Sequence, residues 1–425
     1  MLTWVALSSL QPLRRRNFAL IWSAALISNV GSWMQTVAVG ALVTEATGKS
    51  AWTGIVAAAA FIPIGIFAPI GGALADRVDR RRYFISTTVG ETLFAVLLAL
   101  AVATGNGQPW LVTVLVFGGG VLTALGFPAY QAIIPELVPK EELLAAMSLG
   151  SAQFNMGRVV GPALAGVAIL AGSYSLVFAI NAASFGAVII ALLMSHFAER
   201  PHNPEQTKLR RQIAAGFRGA MAEPGCRLAI TLIGITALLI SPFIALIPAV
   251  AINLLHEGAR GTSVLVTAQG IGAVVGALAL TPLATRFGRG RVMVMDLAVV
   301  LPAAIVLYAA APSLWTAAVA LVAVGAAYIG VLSGLMTVVQ LRAPDYLRAR
   351  ILSLYMVSLG VIYPIGAIIQ GKLGDEFGLR GVVIAAAALF AGVIVLVLGT
   401  RSERRAVLEE TRPDQPAPSV PAAFA

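Results

Sequence analysis

The sequence predicts an all-α membrane protein of twelve spans, built as two repeats of six with both termini cytoplasmic. Three observations carry that reading. Of its 425 residues, 59% are hydrophobic and 11% are charged, and the mean hydropathy is +0.89; soluble domains carry about 25% charged residues. Twelve apolar runs, centred near residues 30, 62, 94, 120, 157, 186, 239, 272, 302, 326, 361 and 390, approach or exceed the roughly 20 residues that a spanning helix needs. A tight cluster of charges after the second run returns in weakened form after the eighth.

The charges set the orientation. With both termini in the cytoplasm, 24 of the 29 Lys and Arg residues fall on the cytoplasmic side, and four (Lys49, Arg260, Lys372 and Arg380) lie outside. Arg158, inside a span, completes the set. That bias follows the positive-inside rule. It also explains the net charge of +10 without a nucleic-acid partner, because the basic residues sit in short loops between spans. Cys226 is the sole cysteine, so an intrachain disulfide and a cysteine metal cage are both excluded. His196, His202 and His256 fall at span ends or in loops. Arg14-Arg15-Arg16 runs straight into a full-length first span, so no cleavable signal is expected.

The most densely charged stretch is Gly71-Gly72-Ala73-Leu74-Ala75-Asp76-Arg77-Val78-Asp79-Arg80-Arg81-Arg82. Its charges would be costly in lipid, so it is a loop at the membrane surface. The spacing Gly-x-Leu-x-Asp-Arg-x-x-Arg-Arg resembles the motif of the major facilitator superfamily between spans 2 and 3, where Asp79 stands at a position often held by Gly. The resemblance assigns Gly72, Asp76, Arg77, Arg80 and Arg81 to a gating motif. It also implies that Asp76 faces the start of span 11, near Arg348 and Arg350.

In chain order, span 1 runs from about Phe18 to Val43, and its Ser28, Asn29, Ser32, Gln35 and Thr36 share one face. A polar stripe on an apolar span faces a packed neighbour or a water-filled cavity. Gly48-Lys49-Ser50 looks like the end of a phosphate loop, but the required upstream Gly is Val43. With no other nucleotide motif, an ATP-driven pump has no support. Span 3 carries Glu91 about two turns in from the surface. Span 4 is expected to start near Pro109 and end at Pro128-Ala129-Tyr130-Gln131, followed by the elbow Ile134-Pro135-Glu136-Leu137-Val138-Pro139-Lys140-Glu141-Glu142-Leu143.

Span 5 is the most informative helix. Gly157, Gly161 and Ala165 fall on one face, small enough for two helices to approach closely in lipid. Pro162 removes a backbone hydrogen bond and favours a bend. Asn155, Arg158 and Pro162 form a second face about 100° away. The run Gly157-x3-Gly161-Pro162-x2-Ala165-Gly166 resembles the Gly-Pro motif of exporters in this superfamily, with Ala165 replacing one Gly and Ser148 standing where an upstream Gly is usual. Gln153-Phe154-Asn155-x2-Arg158, after the Pro-Glu-Leu-Val-Pro elbow, resembles the bacterial branch of enterobactin exporters and macrolide or multidrug efflux proteins.

Four segments are expected: a six-span bundle over 1–197, a cytoplasmic linker over 198–225, a second bundle over 226–400, and a Pro- and Ala-rich disordered tail over 401–425. Within the linker, Ile213, Phe217 and Met221 alternate with Arg210, Arg211 and Arg218, as in an amphipathic helix on the inner leaflet. Thr285 to Arg291 aligns with Asp76 to Arg82, so the charged motif repeats as Arg286, Arg289 and Arg291 without its acid. Ala343-Pro344 and Leu352-Ser353-Leu354 repeat Val138-Pro139 and Met147-Ser148-Leu149. Parallel six-span repeats place a substrate site at mid-membrane between the halves.

The resemblance implies a secondary active exporter of a small, largely apolar molecule, a drug-like compound or siderophore, working by proton antiport and alternating access. A monomer in the cell (inner or cytoplasmic) membrane is expected, with no cofactor, no metal and no catalytic residues. It further implies that spans 1, 4, 7 and 10 face the centre, which makes Asn29, Gln35, Tyr130, Gln131, Gln269 and Tyr363 cavity or gating residues. Glu91, the deepest acid of the first half, is the foremost coupling candidate. Asp296, read as five residues into span 9, is the second. Arg158 costs roughly 2.5–3.5 kcal/mol at mid-span, so it should face a cavity or a buried acid. One proton crossing about 100 mV supplies about 2.3 kcal/mol, enough for a roughly forty- to fiftyfold gradient. The rival readings are an importer or uniporter on the same scaffold and a sensor or assembly factor that moves nothing. An intramembrane enzyme lacks a paired nucleophile and base at span depth.

Overall fold

The structure is a computed structural model, described over residues 10–171, 173–195, 209–344 and 347–399. Within them, twelve helices are long and apolar enough to cross a membrane. Lipid offers backbone groups no hydrogen-bond partner, so apolar runs of this length form helices that satisfy their own. Spans 1 to 6 are Arg16–Thr47, Ser50–Ala75, Arg80–Ala103, Pro109–Glu136, Lys140–Ala171 and Tyr174–Met194. Spans 7 to 12 are Pro224–Leu254, Gly258–Phe287, Arg289–Ala310, Leu314–Arg342, Arg350–Phe377 and Leu379–Gly399. No strand occurs among the described residues. Of the cytoplasmic lead expected over 1–16, residues 1–9 lie outside them, as do residues 196–208 with His196 and His202 and the tail expected over 401–425.

Local chemistry sets several boundaries. Asp79 is the N-cap of span 3, its carboxylate accepting the Arg82 N–H at 2.7 Å. This gives a physical reason for an acid at a position the superfamily often fills with Gly. Ser313 and Thr316 form a reciprocal capping box at the start of span 10. The expected end of span 4 is Pro128-Ala129-Tyr130-Gln131, and its α-helix runs two residues further, to Ile133. Pro128 removes one bond of the ladder, and the helix carries on through it. Asp296 is also deeper than expected, seven residues after the first residue of span 9. The linker helix spans Leu209–Ala222, and its Gly216 and Gly219 rest against Arg350 and Leu347 at the start of span 11. Three π-helical turns occur among the described residues, at Val250–Leu254, Asp296–Val300 and Ser358–Ile362, all in the second half.

The halves meet mainly along two helix pairs, span 2 with span 11 and span 5 with span 8. We call the end carrying the charged motif the near end and its opposite the far end. At the far end the halves are joined. The Asp375 carboxylate, on span 11, accepts the Ser50 and Ala51 N–H groups of span 2 at 2.6 and 2.9 Å. Glu45, on span 1, accepts the Ala259 N–H of span 8 at 3.1 Å and the Tyr174 hydroxyl at 2.6 Å. Asn253 donates to the Gly48 carbonyl at 3.2 Å. Gly54 lies against the Ala367 backbone, and Gly65 against Val361.

Past Gly65 the seam opens. Gly72 and Asp76 continue the Gly65 face at helical spacing. A Cβ on Gly72 would meet only Pro128, from its own half. The Asp76 side chain is 71% exposed and lies 3.3 Å from Arg80. The expected contact of Asp76 with the start of span 11 is therefore absent from this form, because the near ends of spans 2 and 11 have parted. Met356 on span 11, one turn before Gly360, which lies against Gly65, is exposed. The molecule is closed at the far end and open at the near end.

Candidate functional site

Arg158 sits at the head of the open side, where the halves converge. It is 9% exposed, and one guanidinium N–H donates to Gln269 Oε1 on span 8 at 2.9 Å. Its guanidinium carbon lies 5.8 Å from the centre of the Trp33 ring on span 1. Tyr328 on span 10 and Tyr363 on span 11 are close enough to interact with its charge. Its Nε is buried without a hydrogen-bond partner. Of the two surroundings expected from the sequence, a cavity or a buried acid, the acid is not there: among the described residues no carboxylate comes within ion-pair distance. Its direct contacts are a neutral amide from span 8 and an aromatic ring from span 1, one from each half.

The aromatic groups extend toward the open end. Phe154, one turn below Arg158, meets Trp33 edge-on at 5.9 Å and is 49% exposed. Tyr363 packs edge-on against Phe61 at 5.3 Å. Tyr328 shares a 2.8 Å hydrogen bond with Ser241 and packs edge-on against Phe243. Of the predicted cavity residues, Gln269 and Tyr363 join Arg158. The others serve elsewhere. Asn29 backs onto Gly157 at the contact of spans 1 and 5. Gln35 accepts from Asn181 on span 6 at 2.8 Å. Tyr130 bonds Gln153 at 3.2 Å and packs on Phe84 inside the first half. Gln131 lies exposed at the end of span 4. A polar stripe cannot distinguish cavity from neighbour, and in span 1 Gln35 is bonded to a neighbour. Trp33 and Tyr328 went unpredicted, although a Trp at mid-span, away from the interfacial belt where Trp concentrates, was a usable signal.

The small-residue face of span 5 packs on span 1: a Cβ on Gly157 or Gly161 would strike Asn29 or Trp33 and Val30. Pro162 is buried in the continuous helix, and Gly166 abuts Ser263 of span 8. The charged motif is tied within its own half. Arg80 pairs with Glu136 at 2.7 Å. Arg81 donates to the Leu192 and Leu193 carbonyls at 2.8 and 2.9 Å, where span 6 ends. Arg77 is exposed. Arg15 and Glu142 form a bidentate pair beside it.

The two coupling candidates differ. Glu91 is half-buried and faces Thr123 of span 4. Asp296 is 8% exposed, its Oδ1 has no hydrogen-bond partner, and it opens the π turn of span 9. It lines a cavity of about 410 Å³ between spans 8, 9 and 10 with Thr281, Arg289 and Thr337. Its other oxygen lies against Gly330. The aligned position in the first half, Thr87 against Gly126, is hydrogen-bonded to Phe84 of its own helix.

The profile of the transmembrane secretion effector family of MFS proteins matches residues 7–424. Multidrug efflux pump Tap of Mycolicibacterium fortuitum is 26% identical over 397 residues, 91% of this chain and 96% of that one. Enterobactin exporter EntS of Citrobacter koseri is 28% identical over 309 residues, 72% of each. Macrolide efflux protein A of Streptococcus pyogenes is 26% identical over 178 residues, and the match spans only 44% of that protein. In fold, the chain resembles a bacterial homolog to the human lysosomal transporter Spinster in its inward-facing, unoccupied conformation, with a TM-score of 0.71 and 16% identity, covering 95% of this chain and 99% of that one.

Proposed function

The chain belongs to the transmembrane secretion effector family of major facilitator transporters, and on that premise we propose that it exports a small, largely apolar molecule by proton antiport and alternating access. It is a multi-pass membrane protein and a transporter of small molecules. The near end is cytoplasmic, and the form described here receives cargo from inside the cell. The observation that carries this reading is the Arg158–Gln269 contact, a charged bond across the two halves at the closed head of the open side. Opening the far end requires that contact to break or rotate, so a ligand there is coupled to the alternation.

For the proton, the geometry favours Asp296 over Glu91. Asp296 is buried with an unpartnered Oδ1 beside a cavity, where a proton can be gained and lost, whereas Glu91 is only half-buried and lines no cavity described here. The cavity lies within one half, so protonation acts on the packing of spans 8, 9 and 10 instead of displacing cargo directly. Reconstituted protein in liposomes with an imposed proton gradient tests the whole reading. Fluorescent cargo should leave the compartment facing the near end, with counterflow of protons, and Asp296→Asn should uncouple the two while Glu91→Gln should not. Cargo movement only down its own gradient, indifferent to protons, would identify a uniporter. No movement of any of a panel of dyes, macrolides and siderophores would favour a sensor.

A further inference from the structure

The eight spans that resemblance places around the centre (1, 2, 4, 5, 7, 8, 10 and 11) carry charges near their ends and one charge in their depths. On them, Arg158 is the only Asp, Glu, Lys or Arg more than about two helical turns from either end. The two acids at comparable depth, Glu91 and Asp296, sit on spans 3 and 9, which take no major part in the contacts between halves. The centre of the molecule is therefore electrically one-sided. Its single cation is buried, bonded through one N–H to a neutral amide, faced by the Trp33 ring, and left with its Nε–H buried and without a partner.

A buried guanidinium without a counter-charge is costly, and the cost falls when an anionic oxygen completes its hydrogen bonds. Gln269 cannot supply that charge, and the Tyr328 hydroxyl is engaged with Ser241. The approach from the open end is aromatic. Phe154, half-exposed, and Trp33 present an edge-on pair immediately below Arg158, and such surfaces hold flat, apolar bodies. A cationic ligand would find no acid at this site and would be repelled by Arg158.

We infer that the central site takes an aromatic or apolar molecule carrying an anionic oxygen group, a carboxylate or ionised phenol, and selects against cations. Arg158 grips the anionic group, Gln269 holds the guanidinium in place, and Trp33 and Phe154 hold the ring system. This deepens the export reading and rests on it for the site but not for the direction of transport. It divides the expected cargo classes by charge, since a drug with a protonated amine falls on the excluded side.

Two xanthene dyes of similar shape and opposite charge provide the test: fluorescein, anionic, and rhodamine 6G, cationic. Binding to the full chain in detergent, followed by fluorescence polarisation, needs no gradient and is independent of transport direction. Fluorescein is expected to bind at least about tenfold more tightly than rhodamine 6G, the factor that one charge-assisted hydrogen bond supports. Arg158→Gln should remove that preference, and Arg158→Lys should retain part of it. Gln269→Glu places an acid opposite the guanidinium and should suppress fluorescein binding while leaving Arg158 in place. It guards against reading a folding defect of the Arg158 variants as lost recognition. Rhodamine 6G binding as tightly as fluorescein, or fluorescein binding unchanged in both Arg158→Gln and Gln269→Glu, would overturn the inference. Failure of export in liposomes with the charge preference intact would fault the transport reading alone.

Discussion

The far and near ends of this molecule use the same kind of group for different purposes. At the far end, two carboxylates reach across the seam to helix N-termini of the opposite half, Asp375 to span 2 and Glu45 to span 8. At the near end, the acids stay at home: Glu136 holds Arg80, Glu142 holds Arg15, and Asp76 lies exposed beside Arg80. A carboxylate at a helix N-terminus is worth about 0.3–1 kcal/mol, and up to about 2 when partly buried. That is large enough to bias a two-state transporter and small enough to break in each cycle. The comparison suggests that closure is made by acids crossing the seam, and that an open end is one whose acids have been returned to their own half.

The sharpest way to break the comparison is steric. Gly54→Leu places a side chain against the Ala367 backbone and should cost the far-closed form about 1–3 kcal/mol. Spin labels at Asn106 and Glu376, both exposed at the far end, should move apart, with transport falling accordingly. An unchanged distance would mean that the glycine contact does not limit closure.

Asp375→Asn is expected to act next most strongly. It removes the charge facing the start of span 2 and one of two acceptors, and should shift the equilibrium toward a far-open form by about 1–2 kcal/mol, or roughly five- to thirtyfold. The same label pair reads it. Glu45→Gln should do less, about 0.5–1 kcal/mol, because the amide oxygen still accepts the Ala259 N–H while the charge is lost. If Asp375→Asn and Glu45→Gln both leave the far-end distances alone, the cross-seam carboxylates are ornaments of the closed form and do not maintain it.

The smallest effect belongs to Asp76→Asn. In the form described here the side chain is exposed, so the substitution should hardly alter this form. If the acid caps span 11 when the near end closes, the variant should favour the near-open form by about 0.3–1 kcal/mol, measured between labels at Val78 and Phe287. Equal populations in Asp76→Asn and the parent would remove the motif acid from the gate, leaving Arg80 and Arg81 as structural ties within the first half.

What could be read in the residues alone were those features that depend on one helix at a time. Twelve spans follow from run length, because lipid leaves an apolar stretch no other way to satisfy its backbone. The repeat of Arg77, Arg80 and Arg82 as Arg286, Arg289 and Arg291 announced two halves. Arg158 stood out because a lone charge at mid-span is costly wherever it points. Features that depend on which faces meet were decided by packing. Asn29 and Gln35 carried the same polar signal as Gln269, yet only Gln269 reached Arg158, because spans 5 and 8 converge there while span 1 turns Gln35 toward span 6. Asp296, weighed below Glu91 from its position, gained interest from its empty hydrogen-bonding capacity and adjoining cavity. The far-end links from Asp375 and Glu45 join residues 325 and 214 positions apart. A helix reveals its own period to a reader of sequence, whereas the partner of each face depends on how two bundles are rotated against each other, and that is a property of the assembled fold alone.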